Sequence, residues 1–170
     1  KVYFHIFLMA IFGNAIPGFL FPIAQTQIDS SLAGILNAST PIFVLIVGSL
    51  VFKVKTPRHT ISGVLVGLIG ALLLILYGQE HKTGANNWYG FYVLLATFCY
   101  GTSANIIKEY LQNTSSLTST TIAFMLIGPI AWAYLFSTDF LTIIQTDPQA
   151  MTSLASVSFL AIFATGLASV

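Results

Sequence analysis

The length of its apolar runs is what most constrains this sequence. Six stretches, over about 2–24, 30–52, 60–77, 88–109, 118–136 and from 151 to the last residue, are predominantly apolar. Each reaches the ~17–25 residues that an α-helix needs to cross the hydrocarbon core of a bilayer. In hydrocarbon the backbone must satisfy its own hydrogen bonds, which favours a helix for runs of this length. The connections are short, the longest covering about 137–150. Charged side chains make up 6% of the 170 residues, against about 25% in soluble domains, and so few cannot clothe a water-soluble surface. The expected fold is therefore an all-α polytopic membrane protein with about six transmembrane helices.

The distribution of charge tests this division. Six spans create two alternating sets of ends. One set holds Lys1, Lys53, Lys55, Arg58 and Lys108, and the other holds Lys82 alone. Cytoplasmic loops carry the excess of Lys and Arg, so the loops 53–59 and 109–117 are expected in the cytoplasm. Asp29, Glu80, Asp139 and Asp147 fall on the opposite side, with Glu109 inside. Trp88, Tyr89 and Tyr92 open the fourth segment as an aromatic belt at the outer interface. The sequence begins at Lys1 without a methionine and ends within an apolar run, so it reads as an internal piece of a longer protein.

Composition also removes several functions. A net charge of +1 leaves no basic surface for nucleic acid. A single cysteine, Cys99, rules out an intrachain disulfide and a Cys-rich metal site; it is expected to be a small packed residue. No charged side chain lies near the middle of a span, whereas intramembrane acids and bases mark proton relays and membrane hydrolases. No catalytic residue, metal ligand or cofactor is expected. His5, close to the cytoplasmic end of the first segment, is expected to be a packed or solvated end residue, with proton coupling as the minority reading.

Polar residues in the spans are ordered rather than scattered. At about 100° per residue, Ser30, Gly34, Asn37, Pro41 and Gly48 share one stripe of the second segment, and Ile35, Phe43, Val44 and Ile46 lie opposite. Proline has no N–H and clashes with the carbonyl four residues earlier. Pro41 therefore frees the carbonyl of Asn37, on the same stripe. Ser39 and Thr40 lie off it and are expected to bond back to the preceding turn. In the first segment Phe7, Asn14, Gly18, Phe21 and Gln25 share a stripe, and Pro17 and Pro22 free the carbonyls of Gly13 and Gly18. In the fourth, Thr97, Gly101, Ala104 and Lys108 share a face with Tyr100 at its edge, while Tyr92 and Asn105 lie elsewhere. Groups freed at membrane depth must meet protein or a watered cavity. The expected substrate-binding residues are Asn14, Gly18, Gln25, Asn37, Pro41 and Tyr100, and the expected gating residues are Pro17, Pro22 and Pro41. Ordinary interhelical packing is the competing reading for each of them. Gly63 and Gly67 in the third segment have the spacing of a close-packing motif.

Ala10, Ile11, Phe12 and Gly13 also resemble Ala161, Ile162, Phe163 and Ala164 at an offset of 151 residues. Five spans separate the two copies, and an odd number inverts orientation. That is the pattern of inverted-repeat transporters, although three identities in an apolar alphabet can arise by chance.

Residues 30–78 read SSLAGILNASTPIFVLIVGSLVFKVKTPRHTISGVLVGLIGALLLILYG. The small-residue start at Ser31, Leu32 and Ala33, the mid-helix Pro41, the basic turn, and the Gly63 to Gly70 spacing before a Leu-rich run resemble the EamA-like half-repeat of the drug/metabolite transporter superfamily. One departure is the turn itself, where the family often carries Glu and this chain has Lys53, Val54 and Lys55. The resemblance implies ten spans in two inverted halves. Residues 1–77 would then be the third to fifth spans of the first half, 78–87 an extracytoplasmic linker, and 88–170 the first three spans of the second. It further implies a secondary transporter of a small metabolite or amphipathic compound in the plasma or inner membrane. Its cavity would be lined by the first and second segments, the sixth, and one helix beyond the chain. The expected partners are a small-molecule substrate, the lipid bilayer and, as one option, a second copy of the chain. An integral membrane enzyme of lipid or isoprenoid metabolism and a non-transporting scaffold are the alternatives.

Overall fold

A computed structural model of the chain describes residues 2–55, 57–77, 87–147 and 149–165. The described residues are helical and contain no strand. Four helices are long and apolar enough to cross a membrane: α1 (Val2–Gln25), α2 (Ser30–Leu50), α4 (Gly90–Tyr110) and α5 (Ser116–Ser137). The third expected span is a continuous 20-residue helix, α3 (Arg58–Tyr77). A short α6 (Phe140–Thr146) precedes α7, which covers Ala150–Leu160 and continues as a π turn over Ala161–Thr165. The described apolar part of α7 runs over Ala150–Phe163. Among the described residues four of the six expected spans are helices of spanning length and composition, and helices α3 and α7 stand at the places of the other two. Most of the expected linker, including Glu80, His81 and Lys82, lies outside the described residues.

The chain forms two compact units, Lys1–Gln112 and Asn113–Val170. Within the first, α4 is the central helix. Half of its apolar window is buried, against 22% for α1 and 17% for α2. It packs against both of them along its length. At one end, Val93 of α4 meets Ala24, Ile28 and Ala33, with Phe21, Leu32, Leu36 and Tyr89 around them. Farther along, Gly101 faces α2 so closely that an added Cβ would lie 2.8 Å from the Phe43 carbonyl carbon and the Val44 nitrogen. Lipid tails are as apolar as Leu, so helices in a membrane associate through close van der Waals contact and interhelical hydrogen bonds. Glycine at the crossing is what permits that approach.

Helices α1 and α2 each change form just before a proline, Pro17 and Pro41, while Pro22 and Pro129 lie inside continuous α-helix. In α1, a π turn over Ile11–Ala15 joins two α-helical segments, with the Ile16 N–H donating to the Ile11 carbonyl. Pro17 then falls in the first turn of the second segment, where a missing N–H costs nothing. In α2 the segments Ser30–Asn37 and Thr40–Leu50 are joined by a tighter turn. There the Ser39 N–H donates to the Leu36 carbonyl at 3.0 Å and the Ile42 N–H to the Ser39 carbonyl at 3.0 Å. Both bonds reach back three residues rather than four. In the second unit Ser115 caps α5 by accepting from the Thr118 N–H at 3.2 Å.

The glycines of α3 behave differently from Gly101. Nothing lies within 4 Å of a Cβ built on Gly63 or Gly67, so their close-packing spacing has no partner among the described residues. This contrast gives a stability test. Gly101→Ala should destabilise the protein by roughly 1–3 kcal/mol through overpacking. Gly63→Ala should be neutral or stabilising by up to about 1 kcal/mol, because Ala is the better helix former. Thermal unfolding of both variants in detergent reads the difference, and equal midpoints would contradict the crossing described here.

Candidate functional site

The polar stripe of α1 stays open within the first unit. The residues of α1 that turn toward its neighbours are Ile6, Met9, Ala10, Pro17 and Ala24, all buried. Phe7, Asn14, Gly18 and Gln25 are exposed, and Phe21 is half-buried. Asn14 sits inside the π turn, where an extra residue per turn re-aims the side chains that follow. Nothing lies within 4 Å of a Cβ on Gly18. Pro22 is exposed, whereas Pro17 is among the most deeply buried side chains of the chain. Of the two expected gating prolines in α1, Pro17 is thus fixed in the packing and Pro22 borders the open stripe.

In α2, Ser30, Gly34, Asn37 and Pro41 are exposed. The carbonyl that Pro41 leaves without its helical donor accepts instead from the Thr40 hydroxyl at 2.7 Å. The same hydroxyl lies 3.3 Å from the Asn37 Oδ1. Thr40 does bond back to the preceding turn, and it does so onto the freed group. Gly48 departs from the stripe: it is buried, and a Cβ there would meet the Asn105 Oδ1 at 2.7 Å. The turn at 38–39 resets the helical phase, so a single wheel drawn through α2 misplaces residues beyond it. Phe43 and Val44, on the face expected to be bulky and apolar, are the ones that meet α4.

Tyr100 is half-buried, and its ring centroid lies 6.0 Å from that of Phe21, on the α1 stripe. This contact joins the edge of α4 to the open stripe. Among the described residues no hydrogen bond joins Asn14, Gln25 and Asn37 to one another. On the expected α4 face, Thr97 and Gly101 are buried and Lys108 is exposed. Cys99 is buried, as a small packed residue should be.

Sequence reasoning missed Asn105. It is buried, and its amide donates to the Val44 carbonyl of α2 at 2.9 Å and to the Gly101 carbonyl one turn back at 2.8 Å. Ser103 makes the corresponding bond to α1, donating to the Met9 carbonyl at 3.3 Å beside Gly13. The available signal was the four-residue step from Gly101 to Asn105, a small residue one turn before a polar one, which is how helices approach and bond in membranes.

At the end of the unit that carries Tyr110, α1, α2 and α4 enclose a cavity of about 480 Å³ lined by His5, Phe12, Phe52, Thr102, Glu109 and Tyr110 among others. His5 stacks on Tyr110 with centroids 4.1 Å apart and planes 12° from parallel, so it is a packed end residue. Among the described residues no group of three or more His, Cys, Asp or Glu could hold a metal ion.

These features define a class first: a multi-pass helical membrane protein with two broken spans and an open polar stripe. In comparison with known families, residues 1–76 match the sequence model of the EamA-like transporter family. That segment contains both broken helices and the basic turn. No curated protein and no solved structure matches the chain.

The bracket at Asn105 makes a double-mutant prediction. Asn105→Ala should cost about 0.6–1.7 kcal/mol, the range of interhelical hydrogen bonds in membranes. Gly48→Ala should also destabilise, because its new methyl meets the Asn105 side chain. Combined, the two should cost less than their sum, since removing the amide relieves the clash. Additive losses of unfolding free energy in detergent would refute the contact.

Proposed function

We propose that this protein is a secondary transporter of the drug/metabolite type, moving a small metabolite or amphipathic compound across the plasma or inner membrane by alternating access. The observation that carries this reading is the EamA-like match over residues 1–76 falling on two helices that are both broken and polar on an exposed face. Asn14, Gly18, Gln25, Asn37, Pro41 and Tyr100 contact the substrate in this scheme. Broken spans expose backbone groups that intact helices cannot offer, and transporters use them near the bilayer midplane.

Pro22 and Pro41 act as gates and Pro17 as a pivot. A helix without a full ladder of hydrogen bonds bends at lower cost at that point. Thr40 already supplies the bond that Pro41 removes, so the break in α2 can open without abandoning a carbonyl in the membrane. Alternating access rocks two bodies about the site; the sequence halves are residues 1–77 and 88–170 across an extracytoplasmic linker at 78–87, and α4, the first helix of the second half, moves with the α1 and α2 on which it packs. Two features support a repeat: the Ala-Ile-Phe motif occurs at Ala10 and again at Ala161, and both copies run into a π turn, over Ile11–Ala15 and Ala161–Thr165. The excess of Lys and Arg at Lys53, Lys55, Arg58 and Lys108 supports a cytoplasmic position for the loops 53–59 and 109–117. The protein carries out no bond chemistry in this reading and requires no cofactor.

Asn37→Leu, Asn14→Leu and Gln25→Leu should each preserve membrane insertion. Each should lower transport by reconstituted vesicles roughly tenfold, the equivalent of about 1.4 kcal/mol of lost interaction. Wild-type flux of the substrate in all three would remove the cavity assignment.

A further inference from the structure

The C-terminal half of α2 and the N-terminal half of α3 enclose an open groove of about 880 Å³ that takes no part in the polar stripe. Its walls are apolar, formed mainly by Ile42, Ile46, Leu50, Ile61 and Leu65. Four of these side chains are strongly exposed, with Leu50 at 76%, Leu65 at 52%, Ile46 at 44% and Ile61 at 43%. From Ile42 to Leu50 the groove runs about 12 Å along the helix at ~1.5 Å per residue. One leaflet of a bilayer contributes about 15 Å of hydrocarbon, half of its ~30 Å core. The groove therefore covers most of a single leaflet's acyl region, about 12 of its ~15 Å.

Its end is cationic. Lys53 and Lys55 line the mouth, just past the end of α2, where the headgroups of that leaflet would lie. No carboxylate is among the lining residues; Glu109 lines the separate cavity at Tyr110. The backbone is arranged to hold this mouth. Lys53 has φ 53°, a left-handed conformation that glycine adopts at lower cost and that commonly ends a helix. That turn brings the Val54 N–H onto the Gly48 carbonyl at 2.9 Å and folds the Lys53, Val54 and Lys55 segment against the groove. Lysine occupies a backbone position where glycine would be easier, and its side chain is what glycine lacks.

We infer that the α2–α3 groove is a binding site for one anionic phospholipid, with an acyl chain along Ile42, Ile46 and Leu50 and the phosphate at Lys53 and Lys55. Charge complementarity selects an anionic over a zwitterionic lipid, and the apolar wall selects a lipid over a soluble phosphate. Each lysine near an anionic surface contributes a factor of about five in binding.

The test uses the full-length protein in nanodiscs of phosphatidylglycerol and phosphatidylcholine, with tightly bound lipid counted by native mass spectrometry after transfer to detergent. The expected result is one retained phosphatidylglycerol per chain and no comparable retention of phosphatidylcholine or of added glycerol phosphate. Lys53→Gly keeps the turn and relieves its strain, so it should be at least as stable as wild type yet retain phosphatidylglycerol about fivefold less. Adding Lys55→Gln should bring the loss to roughly 25-fold. Ile46→Trp fills the groove without changing charge and should also displace the lipid. Undiminished retention in Lys53→Gly with Lys55→Gln overturns the proposal. So does loss in the lysine variants with full retention in Ile46→Trp, because the lipid would then be held by surface charge alone. Transport is not measured, so this outcome is independent of the transporter reading.

Discussion

The first unit depends on how closely α4 can lie against α2. In water a helix pair gains from burying apolar area, but in a bilayer the lipid competes for the same contacts. What remains is packing density and a few hydrogen bonds, and both require the backbones to approach. Gly101 removes the side chain that would otherwise strike the Phe43–Val44 backbone. Asn105, one turn on, then reaches the Val44 carbonyl at 2.9 Å and rests over Gly48. Neither part works alone. A bulkier residue at 101 would hold the amide out of reach, and without the amide the close crossing would lack its directional bond. Ser103 and Gly13 repeat the arrangement toward α1.

That use of one face leaves another free. Helix α1 buries Ile6, Met9, Ala10, Pro17 and Ala24 and exposes Asn14, Gly18 and Gln25. Packing and polar stripes are thus separated on the same helix. The separation matters for any moving part, because a gate that carried the core contacts could not swing without dismantling them. Pro17 is buried beside the π turn, so that turn in α1 is held within the packed state. Pro41 is exposed, and its consequence, an unpaired Asn37 carbonyl, is met locally by Thr40. One break is held by neighbours and the other by its own chain.

The helices, their order and most of their limits could be read from the sequence, because apolar length and proline placement act locally. So could the release of the Asn37 carbonyl by Pro41, whereas its capture by the Thr40 hydroxyl is visible only in the structure. The match over residues 1–76 falls on the stretch whose Pro41, basic turn and glycine spacing had suggested that family. The crossing of α4 was not legible. Asn105 looked peripheral because a wheel ranks residues by their own helix and says nothing of which partner approaches. Gly48 was assigned to the polar stripe for a related reason: the wheel assumed one unbroken helix through 38–39, and the turn there changes the phase. The Gly63 and Gly67 spacing pointed to close packing that the described residues do not supply. Motif spacing reports what a helix could accept, and only the arrangement of its neighbours decides what it receives.

The turn after α2 carries this reasoning to the membrane surface. Many helices end on a residue that turns left-handed, and glycine or asparagine normally provides it. Here the position is Lys53, flanked two residues on by Lys55. The local backbone would favour a different residue, so local propensity and sequence disagree at this site. Such disagreements are tolerated where a side chain does something the backbone alone cannot. The same turn supplies the excess positive charge from which the orientation of the chain is argued. Its two lysines stand at the mouth of the apolar groove between α2 and α3, where the inferred lipid would place its phosphate.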